Sequence, residues 1–138
     1  MPTRALSVFH VTGWEATPYD QDADDAHHLS RATVRKAFEG DLVGESTAEL
    51  LMCQADPEDL AAGAGFVASE VVRGTLSGRS GTFVMQHGGL SGGGTAPHTF
   101  GNIVPGSGTG ELEGITGTVT GDVAPDGTHT LALDYELT

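Results

Sequence analysis

The segment Val104-Pro105-Gly106-Ser107-Gly108-Thr109-Gly110-Glu111-Leu112-Glu113-Gly114-Ile115-Thr116-Gly117 constrains the fold more than any other part of the chain. Each glycine inside a helix costs roughly 1 kcal/mol relative to alanine, so this density of glycine excludes a helix. A strand that bends sharply or carries bulges tolerates it, and that is the expectation here. A phosphate cradle is a weaker reading. The run lacks the Gly-Lys-Ser/Thr of a phosphate-binding loop and does not lead from a strand into a helix.

The rest of the chain reads as one strand after another. Strands are expected at about residues 4–15, 30–39, 42–54, 65–76, 80–87, 98–104, 115–122 and 128–137. Gly40-Asp41, Gly78-Arg79 and Pro125-Asp126-Gly127 are turn signals, and residues 88–96 read as a glycine-rich loop. Residues 56–62, Asp-Pro-Glu-Asp-Leu-Ala-Ala, start like a helix but are too short for more than one or two turns. Eight antiparallel strands in chain order imply an all-β, up-and-down barrel formed by one domain over residues 1–138, with a sandwich as the alternative. The glycines favour the barrel, whose tight curvature needs corners free of side chains.

Acidic residues number 19 against 6 basic ones, a formal charge of -13. Phosphate backbones and anionic membranes repel such a surface, so neither nucleic acid nor membrane is an expected partner. Cys53 is the only cysteine, which rules out a disulfide within the chain and suits a reducing cytoplasm. The first thirteen residues alternate polar and apolar and lack the apolar run of a signal peptide. No stretch approaches the ~20 apolar residues of a membrane helix.

Alternation locates the candidate chemistry. Phe66, Ala68, Glu70, Val72, Gly74 and Leu76 share one face, apolar except for Glu70. With Gly78-Arg79 as a two-residue loop, Glu70 lies opposite His87, an arrangement suited to acid/base chemistry or to a structural fastening. A slip of one residue pairs Glu70 with Gln86 instead. With Gly40-Asp41 as the second loop, Lys36 faces Glu45 as an ion pair and Ala32 faces Glu49. Both faces of this third strand are apolar, so alternation leaves the side of Glu49 open. His98 and Asn102 share a face with Phe100 and offer hydrogen bonds to a ligand or to the backbone. Tyr135 lies in a stripe with Leu131, Leu133 and Leu137, and Trp14 either walls a pocket or plugs a barrel end. Asp20, Asp22, Asp24, Asp25, His27 and His28 have a calcium-loop look. The pattern fails where Asp25 stands in place of glycine and Arg31 in place of glutamate, so no metal is expected.

Several motifs carry a family resemblance that spans nearly the whole chain. They are Trp14 with Pro18-Tyr19; Phe38-x-Gly40-Asp41-Leu42-x-Gly44-Glu45-Ser46-Thr47; Gly74-Thr75-Leu76-x-Gly78-Arg79-Ser80-Gly81-x-Phe83-Val84-x-Gln86-His87; residues 104–110; Leu112-x-Gly114; Gly117; and Leu133-Asp134-Tyr135. Together they resemble an uncharacterised bacterial single-domain family with an allene oxide cyclase-like, or dirigent-like, β-barrel. Glu70, Gln86 and His87 fall where its members are alike. The resemblance implies a lumen that holds a small, largely apolar molecule and shapes its cyclisation or isomerisation without metal or organic cofactor. Glu70 would polarise or deprotonate the substrate, with His87 or Tyr135 assisting. A non-catalytic binding protein with the same pocket is the alternative. A homodimer or homotrimer is compatible with the resemblance.

Overall fold

A computed structural model describes residues 2–19 and 28–138. It contains eight strands: β1 (Thr3–Pro18), β2 (His28–Gly40), β3 (Leu42–Gln54), β4 (Ala64–Leu76), β5 (Arg79–Gly92), β6 (Thr95–Ile103), β7 (Thr116–Val123) and β8 (His129–Glu136). They form a closed antiparallel barrel in chain order, with β8 returning to β1. Two three-residue 3-10 turns are described, Leu60–Ala62 within the segment expected to turn and Gly110–Leu112 inside the glycine run. No helix among the described residues is long and apolar enough to cross a membrane.

Up to Ile115 the glycine run is not a strand, contrary to the sequence expectation. Gly106, Gly110 and Gly114 have φ of 83°, 62° and 86°, values that extended backbone does not use. The run is instead a loop laid along β5. Val104 and Thr109 donate backbone N–H groups to the carbonyls of Val84 and Thr82. The Val84 N–H in turn donates to Ser107 Oγ at 3.0 Å, and that of Thr82 to Thr109 Oγ1 at 3.1 Å. The loop thereby satisfies a stretch of β5 edge and drops Leu112 and Ile115, both fully buried, into the barrel core.

Residues 88–96 are likewise not a loop. β5 runs on to Gly92, and Gly88 and Gly89 pair with Phe100 and Thr99 of β6. A Cβ at Gly88 would lie 2.5 Å from the Phe66 carbonyl oxygen and 2.7 Å from the Phe100 ring, so glycine here permits close approach inside a ladder.

The two central hairpins both depart from the expected pairing, by different amounts. In the β4–β5 hairpin Leu76 pairs with Arg79, so the loop is Ser77-Gly78, one residue earlier than expected. Both residues have positive φ, 48° and 87°, as a type I′ turn requires. Moving the turn by one residue shifts cross-strand partners by two and preserves the facing of every side chain. Serine is a poor choice for a left-handed position. Ser77→Asn is therefore expected to stabilise the protein by ~0.5–1 kcal/mol, read as a rise of a few degrees in melting temperature.

In the β2–β3 hairpin Phe38 pairs with Gly44, Lys36 with Ser46 and Thr33 with Glu49. This is a one-residue slip from the expected pairing, and it settles which side of β3 is the lumen. Leu42, Ser46, Ala48 and Leu50 are buried, while Glu49 and Glu45 are exposed. The slip has a tertiary cause. Asp41 stands alone at the apex and is held by β1: its N–H donates to the Leu6 carbonyl at 3.1 Å, and its Oδ2 accepts from the Leu6 N–H at 2.9 Å. The next residue, Leu42, donates its N–H to Ser7 Oγ at 2.9 Å.

Inward side chains form two apolar clusters. One contains Phe38, Leu42, Val72, Leu76, Phe83, Met85, Ile103, Leu112, Ile115, Val119, Leu133 and Tyr135 among others. The other contains Ala32, Val34, Ala48, Leu50 and Ala68, with Met52 and Phe66 packed against it. Four adjacent strands carry a polar residue where one cluster gives way to the other. Lys36 falls between Val34 and Phe38, Ser46 between Leu42 and Ala48, Glu70 between Ala68 and Val72, and His87 follows Met85. Lys36 and Ser46 pair directly, and the steps from Ser46 to Glu70 and from Glu70 to His87 run diagonally across the strands, as tilted barrel strands dictate.

Candidate polar site in the barrel lumen

Glu70 is 0% exposed, and every polar residue of this layer bonds to it. Its Oε1 accepts from Lys36 Nζ at 3.0 Å and lies 2.7 Å from His87 Nε2. Its Oε2 accepts from Ser46 Oγ at 2.5 Å. His87 reaches Glu70 diagonally, since its direct cross-strand partner is Ala68 and that of Glu70 is Met85. Lys36 Nζ also lies 4.7 Å from the centre of the Phe9 ring, within cation–π range. The His87 ring meets Phe66 edge-on at 6.0 Å.

Burial works to raise the Glu70 pKa. The hydrogen bond of His87, the charge of Lys36 and the hydrogen bond of Ser46 outweigh it and hold the carboxyl at about 2. Glu70 is therefore ionised at neutral pH, and a carboxylate held this low is a weak proton acceptor there.

A cavity of about 120 Å³ adjoins this cluster, lined by Phe9, Lys36, Phe66, Glu70, His87 and Phe100 among others. At ~30 Å³ of liquid volume per water, this is room for a small molecule or for the reactive end of a larger one. Glu70 and His87, the candidate pair of the sequence, are thus brought together at a cavity. Lys36 and Ser46 were missed. Lys36 carried the same signal as Glu70, a lone charge on an apolar face with Ala32, Val34 and Phe38. The expected hairpin register assigned it to Glu45 and hid the signal.

The other candidate residues lie elsewhere. Glu49, Gln86 and Asn102 fall on one row of the outer wall, with Glu49 opposite Ser69, Ser69 opposite Gln86, and Gln86 opposite Asn102. They line an open depression of about 450 Å³ together with Leu51, Val67 and Phe100. There Glu49 accepts from Thr33 Oγ1 at 2.8 Å, and Gln86 Nε2 donates to Ser69 Oγ at 3.0 Å. Asn102 Nδ2 lies 3.5 Å from the Gly117 carbonyl. His98 is exposed and stacks on Phe100, with ring centres 5.9 Å apart. Trp14 is more than half exposed, opposite Val34 on β2. Tyr135 is buried in the larger cluster and does not line the Glu70 cavity. The acidic stretch from Asp20 to His27 lies outside the described residues. Among the described residues, no group of three His, Cys, Asp or Glu side chains is placed to hold a metal ion.

Comparison with known proteins agrees with this architecture. No curated protein matches the chain significantly. A crystal structure of a protein of unknown function from the DUF3224 family of Shewanella oneidensis MR-1 matches with a TM-score of 0.80 and 31% sequence identity, covering 100% of this chain and 99% of that one. The family model described as "Protein of unknown function (DUF3224)" matches residues 5–135. With barrel, near-complete coverage and sequence in agreement, the chain belongs to the DUF3224 family.

Proposed function

We propose that this barrel is a cofactor-independent cyclase or isomerase acting on a small, largely apolar molecule, with His87 as the group that moves the proton. The observation that carries this reading is the buried, ionised Glu70 at the wall of a cavity otherwise rich in phenylalanine. A buried ion cluster is a poor way to stabilise a core, because desolvation consumes much of its Coulombic gain. Such clusters beside cavities are candidate functional sites.

The roles follow from geometry. Glu70 is a positioning residue: by accepting from the Nε2–H of His87 it fixes the imidazole tautomer and leaves Nδ1 for proton exchange. Lys36 balances the carboxylate charge. Imidazole is the side chain suited to both accepting and returning a proton near neutral pH. Phe9, Phe66 and Phe100 supply apolar contact for a substrate and exclude water from its reacting atoms.

Solvent deuterium tests this whatever the product is. The protein is incubated in deuterium oxide with a panel of small ketones and enones, and loss of a carbon-bound proton signal is followed by NMR. Wild-type protein is expected to wash deuterium into at least one compound, and His87→Gln to slow that exchange by ~10²-fold or more. Glu70→Gln should shift the pH profile of the exchange as well as its rate. Exchange that survives His87→Gln, or no exchange with any compound, would sink the reading. Binding without exchange would point instead to a carrier of small molecules.

A further inference from the structure

We propose that Phe66 divides the ligand space of the barrel into an inner chamber at Glu70 and His87 and an outer chamber at the open end. The ligand is an unbranched apolar molecule that fills both, with its oxygen-bearing end inside; this rests on the cavity being a ligand site. The inner chamber, at about 120 Å³, has room for about four water-sized groups. A second cavity of about 250 Å³ opens at the barrel end, lined by Met52, Ala64, Phe66, Leu90 and Pro97 among others. Phe66 and Thr99 line both. The opposite end, where β6 passes into β7, holds the fully buried Leu112 and Ile115.

Strand register shows how one side chain separates the chambers. Leu50, Ala68, His87 and Gly101 pair in a row across β3, β4, β5 and β6. One step nearer the open end the row is Met52, Phe66, Gly89 and Thr99. Residues two apart on a strand share a face, so both rows face the lumen. Gly89 contributes no side chain, and Phe66 takes the space: a Cβ at Gly89 would lie 3.1 Å from Phe66 Cε1. The Phe66 ring therefore lies over Gly89. His87 meets it on the inner side, and Gln54, Ala64 and Ser91 form the next row outward. A neck bounded by an aromatic ring and by backbone passes a thin chain more readily than a branched one.

The chemistry of the two chambers orients the ligand. The inner wall carries Lys36, whose ammonium has three donors and gives one to Glu70 Oε1, so donors remain for a ligand oxygen. The outer wall offers Met52, Phe66, Leu90 and Pro97, with Gln54 and Ser91 at its rim. Such a wall favours each methylene withdrawn from water. A carbonyl on an unbranched chain fits this order, and it sets the carbons next to the carbonyl beside His87.

Methyl ketones of increasing length test the division by binding alone. They are titrated into protein with isotope-labelled methyl groups, and NMR gives dissociation constants and contacts between ketone and protein methyls. Butanone is expected to contact Val119 and Leu131, which line the inner chamber. Methyl octyl ketone should place its acetyl end there and its far end against Met52 and Ala64. Affinity is expected to rise about fourfold for each methylene that becomes buried, and to level off once the chain outgrows the outer chamber. Cyclohexyl methyl ketone, with the carbon count of methyl hexyl ketone, should bind the wild type about tenfold more weakly than that isomerically thinner chain; Phe66→Ala should close the gap. Ala64→Trp, at a half-buried position of the outer chamber, should weaken methyl octyl ketone about tenfold or more and butanone less than about twofold. Affinity that ignores chain length, a far end that lies inward, or contacts only at Leu51 and Val67 of the outer depression would each overturn the proposal. Deuterium exchange is scored separately. Exchange without length dependence removes the division and keeps the catalyst, and length dependence without exchange does the reverse.

Discussion

Glu70→Ala is expected to cost ~3–5 kcal/mol of folding stability, because it leaves Lys36 buried without its counter-charge. The Lys36 side chain is 13% exposed and its ammonium lies 3.0 Å from the carboxylate it would lose. Ser46 and His87 would lose a partner at the same moment. Urea unfolding followed by circular dichroism checks this. The double variant Lys36→Met with Glu70→Leu separates charge from packing. Replacing a buried ion pair by apolar side chains of similar volume is often neutral, so it should recover most of the loss. A single variant as stable as wild type would mean that water reaches and solvates Lys36.

Acid is expected to remove the same stabilisation without mutation. Glu70 titrates at about 2 in the folded protein against an ordinary value of 4.5. Between these values the unfolded chain takes up a proton at this site and the folded chain does not, so stability falls as pH falls. The contribution is complete above about pH 5, declines as the pH drops through 4.5, and is gone once it passes below about 2. At ~1.4 kcal/mol per pH unit it amounts to roughly 3 kcal/mol. Unfolding free energies at pH 7, 5, 4 and 3 measure it. The Glu70→Gln variant should start lower at pH 7 and show a shallower decline. Parallel declines in the two proteins would show that other carboxylates govern the acid response.

Glu70 illustrates how far the chain could be read without coordinates. A lone carboxylate among Phe66, Ala68, Val72 and Leu76 is visible from strand alternation alone, and so is its placement on the same side as His87. That facing survived an error in the turn because the error was even, moving partners by two. For Glu49 and Lys36 the error was odd. The sequence pattern Phe38-Glu39-Gly40-Asp41 reads as a local two-residue turn, but Asp41 is captured by the Leu6 backbone and the register moves by one. A single residue of slip exchanges inside for outside, and with it Lys36 leaves Glu45 for Glu70.

The class of fold is written in the residues themselves: period-two alternation, punctuated by turn residues at short intervals, permits little other than an antiparallel all-β domain. Local facing along each strand follows as well, because it depends only on neighbours within the strand. The glycine run needed the folded chain to be understood, since it reads as a bent strand but is a loop bonded to the edge of β5. So did the grouping of Lys36, Ser46, Glu70 and His87, which come from four strands and meet only when direct pairing and barrel tilt carry them into one layer. Contacts of that kind depend on register and shear, and these are set by strands far apart in the chain.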